Sequence, residues 1–182
     1  LPVSNDTGNG RGLYMKSLDR RTVITGTLAV AGAYGFVSLS GMFDDANARP
    51  GGPFKINRSP EEWKKRLGAD RYRILRLAGT ERAYSSPLNG EKRTGVYACA
   101  GCNLGVYQSA QKYDSGTGWP SFWAPIAKDR IGTATDYKLG YPRTEVHCAR
   151  CGGHLGHIFS DGPKPTGKRH CLNGLALKFV PA

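Results

Sequence analysis

Thr94-Gly95-Val96-Tyr97-Ala98-Cys99-Ala100-Gly101-Cys102-Asn103-Leu104-Gly105-Val106-Tyr107 sets the fold class. Two β-like runs, Thr94 to Ala98 and Leu104 to Tyr107, flank a Cys-x-x-Cys turn, so the segment reads as a hairpin-like unit. A second such turn, Cys148-Ala149-Arg150-Cys151-Gly152-Gly153, follows the β-like run Thr144 to His147. The last run, Leu175 to Val180, alternates: Leu175, Leu177 and Phe179 on one face, Ala176 and Lys178 on the other. The chain has 25 Gly and 11 Pro in 182 residues, which suits turns and short strands better than long helices. One helix is signalled. Ser59-Pro60-Glu61-Glu62 forms a capping box, and the helix is predicted from Pro60 to Leu67, closed by Gly68. The expectation is a mainly β fold, two antiparallel sheets or a partly open barrel, with a short N-terminal helix.

The two Cys-x-x-Cys turns point to a metal. Each can aim two sulfurs at one ion, and Cys99, Cys102, Cys148 and Cys151 together describe a closed tetrahedral zinc site that pins two parts of the sheet. Two disulfides and a thioredoxin-like redox pair are the competing readings. Zinc held by four thiolates would add a net −2 and take the formal charge from +12 to about +10.

The fifth cysteine, Cys171, stands apart. Arg169 lies two residues before it and Asn173 two after, so on an extended strand all three project to one face. A guanidinium there is expected to lower the thiol pKa, and an amide to hold a polar substrate group. The alternative is a buried structural cysteine. His154, His157 and Asp161 gather in Gly153 to Pro163. On a regular strand the two histidines face opposite sides, but a bulge at Gly156 would bring both to one site. General acid work or substrate hydrogen bonding suits them better than metal ligation, since four cysteines already complete one site. Gly116-Thr117-Gly118-Trp119-Pro120-Ser121-Phe122-Trp123 concentrates aromatics in a turn. Core packing is the default there, and an apolar pocket wall for a methyl or thioether group is the functional alternative.

The charge sits behind residue 48. Residues 1–48 hold four basic and four acidic residues of the total 26 and 14, so the remainder carries the whole +12. A solvated basic face accounts for this without a nucleic-acid partner, because the basic residues are scattered and no aromatic-basic motif is evident. A basic zinc-ribbon-like module that binds nucleic acid is the alternative function; it leaves Cys171 and the tryptophan turn without a role. At the front, Leu1 to Tyr14 reads as a polar leader. Arg20-Arg21 then precedes an uncharged stretch, Thr22 to Phe43, and Ala46-Asn47-Ala48 has the form of a cleavage site. This resembles a twin-arginine export signal, with a membrane anchor and an organellar transit peptide as alternatives. The expected organisation is therefore 1–48 leader and cleaved signal with export to a bacterial periplasm, 49–58 linker, and 59–182 catalytic domain.

Taken together the motifs resemble the methionine-R-sulfoxide reductase family. They are Gly79-Thr80-Glu81-Arg82, both cysteine pairs, Lys112 to Phe122, Glu145-Val146-His147-Cys148, His154 to Pro163 and Thr166 to Asn173, in the family's order. The resemblance implies a two-sheet antiparallel fold with structural zinc and reduction of oxidised methionine in proteins. It implies Cys171 as nucleophile, passing through a sulfenic acid. His154, His157, Asp161, Arg169 and Asn173 would hold and protonate the sulfoxide oxygen and activate the thiol. Trp119, with Phe122, would contact the substrate. Many members carry a resolving cysteine before Gly118-Trp119-Pro120-Ser121-Phe122. Here the loop reads Asp114-Ser115-Gly116-Thr117. The resemblance is therefore to a one-cysteine member, expected as a monomer, whose partner is an external thiol reductant, either a thioredoxin-like protein or a small thiol.

Overall fold

The structure is a computed structural model that describes residues 54–182. The leader and signal expected over 1–48 and the first half of the linker, 49–53, lie outside the described residues. Among the described residues no helix is long and apolar enough to cross a membrane.

The chain opens with helix α1 (Pro60–Leu75). Its capping box forms as the sequence requires: Glu62 N–H donates to Ser59 Oγ at 3.2 Å and Ser59 N–H to the Glu62 carboxylate at 2.9 Å. The helix is longer than predicted. Gly68, at φ 70°, does break the first segment, but helical backbone resumes and continues to Leu75. The second segment buries Tyr72, Ile74 and Leu75, so packing restarts the helix beyond its local stop signal.

Nine strands follow, in two antiparallel sheets that do not close into a barrel. The smaller contains β1 (Gly95–Cys99), β2 (Gly105–Gln108) and β9 (Leu177–Pro181), in the order β2-β1-β9. The larger is built from β3 (Lys112–Tyr113), β4 (Ser121–Phe122), β5 (Ile131–Asp136), β6 (Arg143–Cys148), β7 (His154–Phe159) and β8 (Arg169–Leu172). Its order is β3-β4-β8-β7-β6-β5. The predicted runs match β1, β2 and β6. The last differs at its start: Gly174 to Ala176 forms a 3-10 turn, which buries Ala176 completely and begins the strand at Leu177.

The sheets are stitched by aromatic rings. Phe122, from the larger sheet, meets Tyr97 and Tyr107 of the smaller at ring-centroid distances of 4.9 and 4.8 Å. Val146, Leu155 and Leu172 complete this core with Leu177. Phe122, expected as a substrate contact, is therefore placed in the core with no exposed surface. In β4, Ser121 pairs with Cys171 and Phe122 with His170, and strand alternation sends the phenylalanine to the inner face.

Candidate active site and metal centre

Four cysteines meet where the two sheets end. Cys99 closes β1 and Cys148 closes β6. Each is followed by a tight turn carrying the second cysteine of its pair. In the first turn Asn103 N–H donates to the Cys99 carbonyl at 2.8 Å, with Asn103 at φ 57°. In the second, Gly152 N–H donates to the Cys148 carbonyl at 2.9 Å, with Gly152 at φ 68°. A side chain at residue 152 would collide with Phe54, whose ring lies 2.3 Å from the position of a Cβ. All four cysteines are buried and none forms a disulfide. Their sulfurs lie within 4.8 Å of one another, with Cys99–Cys151 at 3.7 Å and Cys102–Cys148 at 3.5 Å. A tetrahedral ion with metal–sulfur bonds of about 2.3 Å would set sulfur–sulfur distances near ~3.8 Å. The cluster has that size. Thiolates packed this closely need a cation between them. The four residues are therefore placed to hold a metal ion and so to tie one sheet to the other.

Cys171 lies away from this cluster, on β8. Strand alternation turns His170 and Leu172 inward and leaves Arg169 and Cys171 on the outer face, as their spacing predicts. The thiol opens into a cavity of about 140 Å³ lined by Thr80, Trp119, Arg143, His157, Phe159 and Cys171, among others. A larger recess of about 490 Å³ lies beyond Trp119 and does not include Cys171.

Each wall is held in place by its neighbours. Trp119 donates its indole N–H to the Glu81 carbonyl at 3.1 Å. Glu81 is buried, and its carboxylate accepts from Gly174 N–H at 2.6 Å and Leu175 N–H at 2.9 Å. Glu81 N–H in turn donates to Asn173 Oδ1 at 2.9 Å. Asn173 Nδ2 donates to the Leu155 carbonyl at 3.2 Å. Asn173 borders the cavity, and its amide is held by the backbone through Oδ1 and one Nδ2 hydrogen, which fixes the end of β8.

Arg169 forms a two-pronged ion pair with Asp161 at 2.9 and 2.8 Å, and its guanidinium lies 4.4 Å from the Phe159 ring centre. The pair raises the Arg169 pKa and lowers that of Asp161. Asp161 thus orients Arg169. The Cys171 thiol also meets Thr117 Oγ1 at 3.9 Å. Burial pushes the thiol pKa up, and the Thr117 hydroxyl and the Arg169 charge only partly offset it. The expected lowering by Arg169 is present as an influence, but desolvation outweighs it.

The histidines come together by the predicted route. The β6–β7 register slips between Val146–Gly156 and His147–His154, leaving Leu155 as an extra residue. Gly156 permits the close approach, since a Cβ there would sit 2.0 Å from the Cys171 carbonyl oxygen. The His154 and His157 rings end 5.3 Å apart, edge to face. Only His157 borders the cavity; His154 is 1% exposed. Each faces a carboxylate that sequence reading missed. His154 Nδ1 lies 2.6 Å from Glu145 Oε1, and His157 Nε2 lies 2.7 Å from Asp136 Oδ2. A carboxylate accepts, so the facing ring nitrogen carries the proton and the tautomer is fixed. Asp136 Oδ2 also accepts from Arg143 at 2.6 Å. Burial works against the charged form of Asp136, but Lys138 N–H, His157 and Arg143 outweigh it and hold the carboxyl at about 2. Burial lowers the His157 pKa, and Asp136 only partly restores it. Glu145 stands inside a stretch that carried the family resemblance. Asp136 had no sequence signal, because only the β5–β6 register brings it to His157.

The comparisons agree with this geometry. The family described as the SelR domain matches residues 67–181. The chain is 47% identical over 126 residues to the peptide methionine sulfoxide reductase MsrB of Leptospira interrogans, covering 69% of this chain and 96% of the relative. It is 48% identical over 127 residues to MsrB of Pseudomonas putida strain W619, covering 70% and 96%. It is 49% identical over 124 residues to MsrB of Methanosarcina barkeri, covering 68% and 87%. With the family's domain spanning both sheets and 47–49% identity to these relatives over more than two thirds of the chain, the chain belongs to the methionine-R-sulfoxide reductase family and is a peptide methionine sulfoxide reductase, an oxidoreductase.

Proposed function

We propose that Cys171 is the nucleophile and that turnover runs through a sulfenic acid restored by an outside thiol. The observation that carries this reading is the placement of Cys171 at a small cavity walled by Trp119 and Phe159, with Arg169, Arg143 and His157 alongside. The Cys171 thiolate attacks the sulfoxide sulfur, forming a sulfur–sulfur bond. The sulfoxide oxygen takes up protons and its bond to sulfur breaks. The oxygen departs as water; water then attacks the Cys171 sulfur, the sulfur–sulfur bond breaks, methionine leaves with the electron pair, and Cys171 is left as sulfenic acid, two electrons having passed from the cysteine sulfur to the methionine sulfur. One outside thiol then displaces water to give a mixed disulfide, and a second releases Cys171 as a thiol. The sum is one sulfoxide and two thiols giving methionine, a disulfide and water.

The side chains divide the work. Trp119 packs against the substrate methyl group. His157 in its protonated form, with Nε2–H held by Asp136, delivers the second ring proton from Nδ1, and Arg143 and Arg169 supply positive charge near the developing oxyanion. Zinc is the ion of the four-cysteine site, held by Cys99, Cys102, Cys148 and Cys151, and its contribution is structural. Thr117 occupies the loop where a resolving thiol would stand, and the other four cysteines are gathered in the metal cluster.

The test uses separate R and S epimers of a methionine sulfoxide peptide with a dithiol reductant. The R epimer alone should be reduced, and Cys171→Ser should abolish turnover with zinc content and melting temperature unchanged. Activity confined to the S epimer, or retained in Cys171→Ser, would overturn the assignment.

A further inference from the structure

We propose that the loop joining β5 to β6, Tyr137 to Pro142, docks the polypeptide that carries the oxidised methionine, by taking apolar residues that flank it. The proposal rests on reading the Cys171 cavity as the sulfoxide site. Among the described residues, five large apolar or aromatic side chains are strongly exposed: Tyr84, Tyr137, Leu139, Tyr141 and Val180. Three of the five fall within this one loop, at 66%, 60% and 54% exposure. Single exposed apolar residues need no explanation, but a cluster on one projection marks an interaction surface.

The loop is built to hold its shape. Gly140 N–H donates to the Tyr137 carbonyl at 2.9 Å, with Gly140 at φ 81°. Lys138 N–H donates to Asp136 Oδ1 at 2.8 Å, and Lys138 Nζ to the Leu77 carbonyl at 2.9 Å. The one charged side chain of the tip is thus engaged by the main chain, and what remains outward is tyrosine and leucine. Tyrosine anchors on a fixed loop bury large area at low entropic cost.

Its root is continuous with the active site. Asp136 pairs with Arg143 across the stem, and Arg143 and His157, both bonded to Asp136 Oδ2, line the Cys171 cavity. A chain entering that cavity with its methionine side chain passes Arg143, the residue that joins the loop to the cavity wall. Beside the single lysine, the exposed tip offers two tyrosines and a leucine, so it suits an apolar, unfolded segment. Methionines sit among apolar neighbours in protein cores, and an oxidised one exposed by unfolding brings those neighbours with it.

The experiment compares wild type with Tyr137→Ser/Leu139→Ser/Tyr141→Ser, and with Leu139→Asp alone. The substrates are N-acetyl-methionine-R-sulfoxide and a peptide with Leu and Phe on both sides of methionine-R-sulfoxide. The triple variant should lose about tenfold in kcat/KM on the peptide, through KM, and keep wild-type kinetics on the blocked amino acid. Leu139→Asp should move the same way by a smaller factor. Equal loss on both substrates, no loss on either, or a change only in KM for the reductant would overturn the proposal. So would a concentration-dependent dimer that the variant dissolves while peptide KM stays constant. Wild-type protein inactive on both substrates would remove the sulfoxide reading itself, a result distinct from an unchanged substrate ratio.

Discussion

At Cys171 two influences oppose each other, and their balance sets its reactivity. Arg169 and Thr117 favour thiolate, while burial favours thiol, and burial wins in the substrate-free site. The reactive form is the thiolate, so alkylation of Cys171 should rise with pH through a midpoint above the ordinary 9.0. Arg169→Ala removes a lowering influence and should move that midpoint higher still. Rates of iodoacetamide labelling in zinc-loaded protein, followed by mass spectrometry, check this; a midpoint well below 9.0 would mean that the guanidinium dominates. Much at this scale was legible in the sequence. The spacing of Arg169 and Cys171 placed them on one strand face, and the paired cysteines announced their cluster. Glu81, Asp136 and Thr117 were not legible, because their roles come from partners 92, 21 and 54 residues away in the chain.

Among the elements, β4 and β8 decide which side chains face the Cys171 cavity. Ser121 pairs with Cys171, and Phe122, its neighbour, turns into the core against Tyr97 and Tyr107. The sequence shows an aromatic turn whose default is core packing, and Phe122 is assigned to the substrate only through the family resemblance, because β4 is only two residues long and shows no period of its own. Its face is set by the neighbouring strand. Phe122→Ala should therefore cost about 3–5 kcal/mol of stability, and Phe122→Leu should keep wild-type KM. Urea unfolding and steady-state kinetics separate the cases: a raised KM with stability intact would place the ring at the substrate. The same dependence on register explains the histidines. A bulge beside Gly156 was a sequence-level possibility, and the β6–β7 slip is what brings the two rings to 5.3 Å.

For the whole molecule, the metal cluster and the reactive thiol are separate devices on one frame. The cluster ties the end of β1 in one sheet to the end of β6 in the other. Cys171 projects from β8 toward its own cavity, where its sulfur-side neighbour is the Thr117 hydroxyl. Separation of this kind predicts that the four clustered sulfurs stay out of the redox cycle. Fold class and cluster were readable because Cys-x-x-Cys turns between β-like runs have few other uses; the order of nine strands was not, since it depends on pairings between distant segments. The most direct test is a single turnover: zinc-loaded protein, one equivalent of methionine-R-sulfoxide, no reductant, then dimedone and mass spectrometry. The account predicts one methionine released per chain, a sulfenic acid adduct on Cys171 and zinc fully retained. A disulfide between Cys171 and any of Cys99, Cys102, Cys148 or Cys151, with zinc released, would contradict it.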